Sequence, residues 1–461
     1  MSNNISAKLY YYSLLFIAIS IPFQWKLLPF SVGITMLGLV WFLGGGLIQK
    51  IKIFIKNPYA ILFSGLYIIY LISFFYSENR TYAYDDLLLK LPLLLMPLFL
   101  STVDKLNISQ YNSVLRTFAI STFFSALITL LVGYYNYVQT GLTKYFFYHD
   151  LTIFMHSAYY ALYALFAIAI FIYLYHNTQS NKHKIIYSSM ALGLGIFLFL
   201  LSSRMQILIF VILLTFYVLG SAFQKRRVFT GILIVSLIYV CIFLLVTEMP
   251  RTSVRLEQTK KHLKNINYSK TNGDARVQIW TAAIRVIKKN YLKGTGVGDV
   301  KDVLINEYEI LSEAEGENLV EQKIEEIKYN KKWILHIREK AIANNISVED
   351  QLFQDAIYVL KDKKSRYKYF IKKAYNYHSQ FFQTLAAVGI LGFLFLFFSL
   401  LIPAYYLALK NKQYLLLSFM FMFFLSFVTE SMLERQAGVI LYAFFSSFLI
   451  LVNKRIIDKS V

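Results

Sequence analysis

Three residues far apart in the chain have side chains suited to phosphate binding and proton transfer. Arg204 stands in Leu200-Leu201-Ser202-Ser203-Arg204-Met205-Gln206, between two apolar runs. An arginine so near hydrocarbon is costly unless it is paired or hydrated. It reads either as a snorkelling anchor or as an anion-binding group facing an interior cavity. Arg276 opens Arg276-Val277-Gln278-Ile279-Trp280, and Gly294-Thr295-Gly296-Val297-Gly298-Asp299 follows. The glycines permit a tight turn whose amides are open to an anion. The run follows a helical pattern rather than a strand, which argues against a dinucleotide fingerprint. On its own it reads more simply as a helix end and a loop. His378, in Tyr377-His378-Ser379-Gln380, lies where an apolar run begins. An imidazole titrates near neutral pH and can take a proton from a hydroxyl.

Further polar candidates gather at the ends of apolar runs: His156, Tyr159 and Tyr160, Arg80, and Glu430, Glu434 and Arg435. Each also fits a structural interface role. Glu430 is the strongest, because a carboxylate closing an apolar run needs a partner. The acidic stretch Glu307, Glu309, Glu313, Glu315 and Glu317 lacks an Asp-x-Asp motif and reads as a solvated loop rather than a cation site. The single cysteine, Cys241, allows no disulfide framework, and no Cys/His metal cluster is visible, so neither metal nor cofactor is expected.

The elements that must position these groups are membrane helices. Of 461 residues 57% are hydrophobic and only 16% charged, and mean hydropathy is +0.51. Soluble chains carry roughly 25% charged residues. Twelve apolar runs approach the length that crosses a bilayer: 8–23, 29–48, 58–76, 84–101, 113–137, 156–175, 185–201, 205–222, 228–246, 380–408, 413–432 and 437–453. The run 84–101 is the weakest, since Asp85, Asp86 and Lys90 lie at its start. The first run lacks a small-x-small cleavage signal near Pro22 and reads as an uncleaved helix. The expected fold is therefore an all-α polytopic membrane protein. It divides into transmembrane helices over 1–246, a large, mostly helical periplasmic loop over 247–377, and three more transmembrane helices over 378–461.

Net charge is +21, which in a soluble chain would suggest nucleic acid. Here the cations fit cytoplasmic loops against an anionic bilayer surface, and no nucleic acid is expected. With the N-terminus in the cytoplasm, the short inside segments hold fifteen lysines and arginines and the short outside segments five. That bias puts both termini inside and residues 247–377 outside. Within that loop, Val277, Trp280, Ile284 and Ile287 recur at helical spacing. A charged helix is expected over 317–343, and another after Ser347, which forms a capping pattern with Asp350. The loop reads as a lid over the membrane part rather than as a separate domain.

At these residues the chain resembles the O-antigen ligase and O-antigen polymerase family of bacterial membrane glycosyltransferases. Ser203-Arg204 opening a span is similar to the family's Ser-Arg pattern. Arg276 with Trp280, then Gly294, Gly296 and Gly298, is similar to its loop motif. His378 followed by Gly389 and Gly392 is similar to its re-entry motif. The layout, about twelve spans with a large loop before the last three, agrees over most of the chain. The family often has glycine where Met205 stands, asparagine where Ser379 stands and an acidic residue where Ala387 stands.

The resemblance implies a GT-C-like fold in the bacterial inner membrane. It also implies a glycan donor on undecaprenyl diphosphate, met at the periplasmic face. The acceptor would be the lipid A core or another glycan hydroxyl. It assigns Arg204 and Arg276 to the diphosphate and His378 to the acceptor hydroxyl, in an inverting transfer that needs no nucleotide or metal. Gly294, Gly296, Gly298, His156, Tyr160, Arg80 and Glu430 would complete the substrate site. The chief alternative is a polymerase of lipid-linked repeats. A lipid-linked sugar flippase is less consistent, because transporters show two similar halves and none is visible here.

Overall fold

Apolar runs punctuated by glycine, proline and capping Asn or Ser give helices throughout. The computed structural model describes residues 3–24, 28–102, 106–248, 275–344, 346–360, 366–409 and 411–452, and no strand occurs among them. Each of the twelve apolar runs contains helix. Among the described residues five helices are long and apolar enough to cross a membrane: Ile108–Thr140, Ser157–Asn177, Asn181–Leu200, Arg204–Gln224 and Gln380–Leu407. A bent pair, Phe30–Leu43 with Leu47–Lys56, turns through 112° and could count as a sixth span. Ile5–Ser20, Pro58–Phe74, Val228–Val240, Tyr414–Thr429 and Gln436–Val452 are apolar but shorter.

Two runs depart from expectation for local reasons. Helix Leu28–Leu43 ends before residue 48 because Gly45 and Gly46 take left-handed φ values of 68° and 65°, a conformation glycine adopts without steric cost. Run 84–101 divides into Arg80–Lys90 and Pro92–Thr102. Pro92 has no N–H to continue the first helix, and its fixed φ suits the first turn of the second.

Between the last long apolar helices the chain leaves the bundle. Residues 249–274, the start of the expected loop, lie outside the described residues. Helix Ala275–Asn290 then buries Ile279, Ala282, Ala283 and Val286. The helix read from the spacing of Val277, Trp280, Ile284 and Ile287 is present, with Val277 and Ile284 58% and 41% exposed. The small alanines let this helix approach helix Gln380–Pro403, with Trp280 edge-on to Phe382 at 5.8 Å between ring centroids.

The acidic stretch is helical rather than loop, within Val300–Tyr329. Its Glu307 is buried against Lys289 at 2.9 Å. The helix expected over 317–343 is likewise corrected. It breaks at Asn330, whose side chain accepts the Trp333 amide and starts Lys331–Asn344. Ser347 caps Val348–Leu360 by accepting the Asp350 amide at 3.0 Å. The near part of this segment shares the main apolar core, whereas Ile327, Ile337, Leu352 and Ala356 make a small core of their own.

The near part is locked to the bundle by a broken helix. Within 380–403 the backbone leaves helical geometry at Val388 and Gly389, the latter at φ 67° and ψ −165°. The break frees the Ala386 and Ala387 carbonyls to accept the Thr295 and Gly296 amides at 2.8 and 2.9 Å. In return the Ile390 amide donates to Tyr291 at 2.8 Å. A Cβ on Gly389 would run into the Leu292 carbonyl, and one on Gly294 into that of Ala387.

Candidate functional site

Glu430 follows the last residue of helix Tyr414–Thr429, where the chain turns extended. Its carboxylate accepts from Arg276 Nη2 at 2.8 Å through Oε1. The other oxygen, Oε2, stands 3.6 Å from His378 Nδ1. Arg276 sits in the first turn of helix 275–290, and His378 precedes helix 380–403. Three separate stretches of chain thus meet on one carboxylate, which is about a quarter exposed. Glu430 lies beyond its helix. Burial pushes its pKa up, but the hydrogen bond and charge of His378 and the charge of Arg276 outweigh burial and hold it below the ordinary carboxylate value.

His378 is held in a strained turn. Its φ is +46°, a left-handed value that costs a non-glycine residue about 1–3 kcal/mol. The turn persists because its neighbours are fastened. Tyr377 is fully buried and donates to the Val300 carbonyl at 3.1 Å. The His378 amide donates to Asn376 at 3.1 Å, and Ser379 Oγ donates to Phe427 O at 3.2 Å. Gln380 then grips both ends of the 430–433 turn. Its amide donates to Glu430 O at 3.2 Å, and its Oε1 accepts the Leu433 amide at 2.6 Å.

Arg204 opens helix Arg204–Gln224 and is exposed. Two residues on, fully buried Gln206 donates to Ser426 Oγ at 3.0 Å. Ser426 is one turn before Glu430, so Arg204 begins its helix at the same end of the bundle as the Arg276–Glu430–His378 cluster.

His156 caps helix Ser157–Asn177, its Nδ1 accepting the Ala158 amide at 3.3 Å. Its ring is 4.3 Å from that of His149 and 6.1 Å from that of Tyr159. Tyr159 in turn donates to Ser431 O at 3.3 Å, next to Glu430. The residue as a whole stays exposed, yet partial burial of the ring, with His149 beside it, pushes its pKa down to about 4. Glu430 acts in the opposite sense, and Arg435 and His378 add to the lowering.

Other expected site residues are engaged elsewhere. Tyr160 is fully buried and points into the bundle, with its hydroxyl on Ser125 Oγ at 2.9 Å and Thr129 Oγ1 at 3.1 Å. Apolar faces on both sides of its helix drew it inward. Arg80 caps helix Pro58–Phe74, donating to the Phe74 and Phe75 carbonyls at its C-terminal end. The expectation of anion-ready amides in the glycine run is also corrected. The amides of Gly294, Thr295 and Gly296 donate to the carbonyls of Asn290, Ala386 and Ala387. Those of Val297 and Gly298 donate to Ser73 and Ser77. Gly294, Gly296 and Gly298 serve close backbone packing, because each would clash if it carried a Cβ.

One cluster escaped the sequence reading. Lys90 Nζ, fully buried, lies 2.5 Å from Asp86 Oδ1 and 3.0 Å from Glu434 Oε1. The Glu434 contact is an ion pair without the alignment of a hydrogen bond. It ties helix 80–90 to the turn that begins at Glu430. The available signal was an acid and a base four apart in an otherwise apolar run. Among the described residues no group of acidic, His and Cys side chains is arranged to hold a metal ion.

Against known proteins, residues 188–333 match a family model described as O-antigen ligase. No curated protein matches the chain. The matched segment, about a third of the chain, holds Arg204, Arg276 and the three loop glycines and is similar to the O-antigen ligase family.

Proposed function

We propose that the chain is a membrane glycosyltransferase that moves a glycan from undecaprenyl diphosphate to an acceptor hydroxyl at the periplasmic face. The observation that carries this reading is the single carboxylate shared by Arg276 and His378. A base and a phosphate-matching cation held at fixed separation suit a displacement in which one end loses a proton and the other gains negative charge.

The acceptor oxygen forms a bond to the anomeric carbon as the carbon–oxygen bond to the diphosphate breaks. The bonding pair leaves with the phosphate oxygen. The hydroxyl proton passes to His378 and then to water. With its Nδ1 edge toward Glu430, the neutral ring keeps its proton on Nδ1 and offers the Nε2 lone pair. Arg276 and Arg204 face the developing diphosphate charge. Direct displacement inverts the anomeric centre, and guanidiniums take the charge-stabilising role in place of a metal.

The same reading keeps the twelve-span arrangement with both termini cytoplasmic and residues 247–377 outside. Helix Leu28–Leu43, the pair Arg80–Lys90 with Pro92–Thr102, and the five shorter apolar helices of the bundle supply the remaining spans. The lipid A core is the preferred acceptor class, and a second lipid-linked repeat is the alternative. Purified protein with lipid-linked donor and core acceptor tests the reaction. Arg204→Ala, Arg276→Ala and His378→Ala, made singly, should each lower transfer by ~10²-fold or more. Near wild-type transfer from all three would overturn the assignment.

A further inference from the structure

Helix Leu47–Lys56, sequence Leu-Ile-Gln-Lys-Ile-Lys-Ile-Phe-Ile-Lys, is the most strongly two-faced apolar–basic element among the described residues. At 100° per residue, Leu47, Ile48, Ile51, Phe54 and Ile55 share one face, and Gln49, Lys52 and Lys56 share the opposite one. Leu47 and Phe54 are partly buried, the latter against the core. Ile48, Ile51 and Ile55 are 74%, 46% and 61% exposed. No residue of this helix is buried.

Its direction is set at both ends. Gly45 and Gly46 in left-handed conformation turn it by 112° from the preceding helix. Lys50 braces that elbow by donating to the Trp41 carbonyl, with its ammonium 5.1 Å from the indole centre. At the other end Asn57 closes this helix and caps the next, accepting the Tyr59 and Ala60 amides at 3.1 and 3.3 Å. Lys50 is thereby engaged in holding the bend, whereas Lys52 and Lys56 are exposed.

We propose that helix 47–56 lies in the plane of the cytoplasmic leaflet and binds anionic phospholipid headgroups. Ile48, Ile51 and Ile55 enter the acyl boundary, and Lys52 and Lys56 meet headgroup phosphates. An element with this pattern lies along an interface rather than crossing it, and lysines beside an anionic leaflet are attracted to it. The occupant is fixed by charge and by continuity. The exposed isoleucines follow closely in the chain on the exposed Leu39, Phe42 and Leu43 at the end of the preceding helix, an apolar surface that lipid must cover. The choice of leaflet rests on the distribution of lysine and arginine between short loops.

The full-length chain with Cys241→Ser, in phosphatidylcholine nanodiscs with and without phosphatidylglycerol, provides the test. Nitroxide labels are introduced singly through Ile51→Cys, Lys52→Cys, Ile55→Cys and Lys56→Cys. Labels at 51 and 55 should be accessible to oxygen and shielded from a nickel complex, and labels at 52 and 56 the reverse. Phosphatidylglycerol should shift the label at 55 deeper, and Lys52→Gln with Lys56→Gln should cancel that shift. Equal lipid exposure at all four positions would make the helix half of a broken span and overturn the proposal. Four water-exposed labels, or no response to phosphatidylglycerol with both lysines intact, would overturn it too.

Discussion

The guanidinium of Arg276 lies 2.8 Å from the carboxylate of Glu430, joining the start of one helix to the end of another far along the chain. Glu430→Gln keeps the size of the side chain and removes its charge. Transfer activity should fall by ~10-fold or more, since one neutral amide cannot orient both a guanidinium and an imidazole. Wild-type kinetics from purified Glu430→Gln would show that the carboxylate is structural only.

The same carboxylate makes a pH prediction. Its folded pKa is depressed below the ordinary value of 4.5. Its contribution to stability is therefore complete above that value and is lost as pH falls through the folded pKa. Thermal unfolding should separate wild type from Glu430→Gln at neutral pH and bring the two together in strong acid. A gap that persists unchanged below the folded pKa would contradict this.

His156 gives a second test of the same sign, in a higher but still acidic window. Its pKa falls from 6.5 to about 4 on folding. Between those values the unfolded chain binds the extra proton, so stability rises with pH across the window. His156→Asn keeps a capping side chain and abolishes the titration. The melting temperature of wild type should rise more steeply between pH 4 and 6.5 than that of the variant. Parallel curves would refute it.

Gly389→Ala and Gly294→Ala each add a Cβ at positive φ against a carbonyl of the opposing segment. Each should cost ~2 kcal/mol or more and loosen helix 275–290 from the bundle. Gly195→Ala meets nothing within 4 Å and should be neutral. Size-exclusion profiles after graded heating in detergent distinguish the three.

Lys90→Met strands Asp86 and Glu434 without their cation, at a cost of about 3–5 kcal/mol. Adding Asp86→Asn and Glu434→Gln should recover most of it, because residues of one buried network are not additive. A triple variant as unstable as the single one would show that the ammonium packs rather than pairs.

Much of the scaffold was legible in residue order alone. Runs of apolar residues are local, so twelve helix-bearing stretches, the cap at Ser347 and the helix before Gly294 could be read directly. Glu430 stood out because a carboxylate closing an apolar run is costly without a partner, His378 because an imidazole stands where such a run begins, and Arg276 through its place ahead of Trp280 and the glycine run. Pairing is not local. That Arg276 and His378 share Glu430, and that Lys90 reaches Glu434, depends on which helix ends the fold brings together. The glycine run was misread for the same reason. Its amides look open in sequence, but the break at Val388 and Gly389 supplies the carbonyls that take those of Thr295 and Gly296, and Asn290, Ser73 and Ser77 take the others. Tyr160 turned inward because the rotation of a helix is set by all its neighbours, which no single segment encodes.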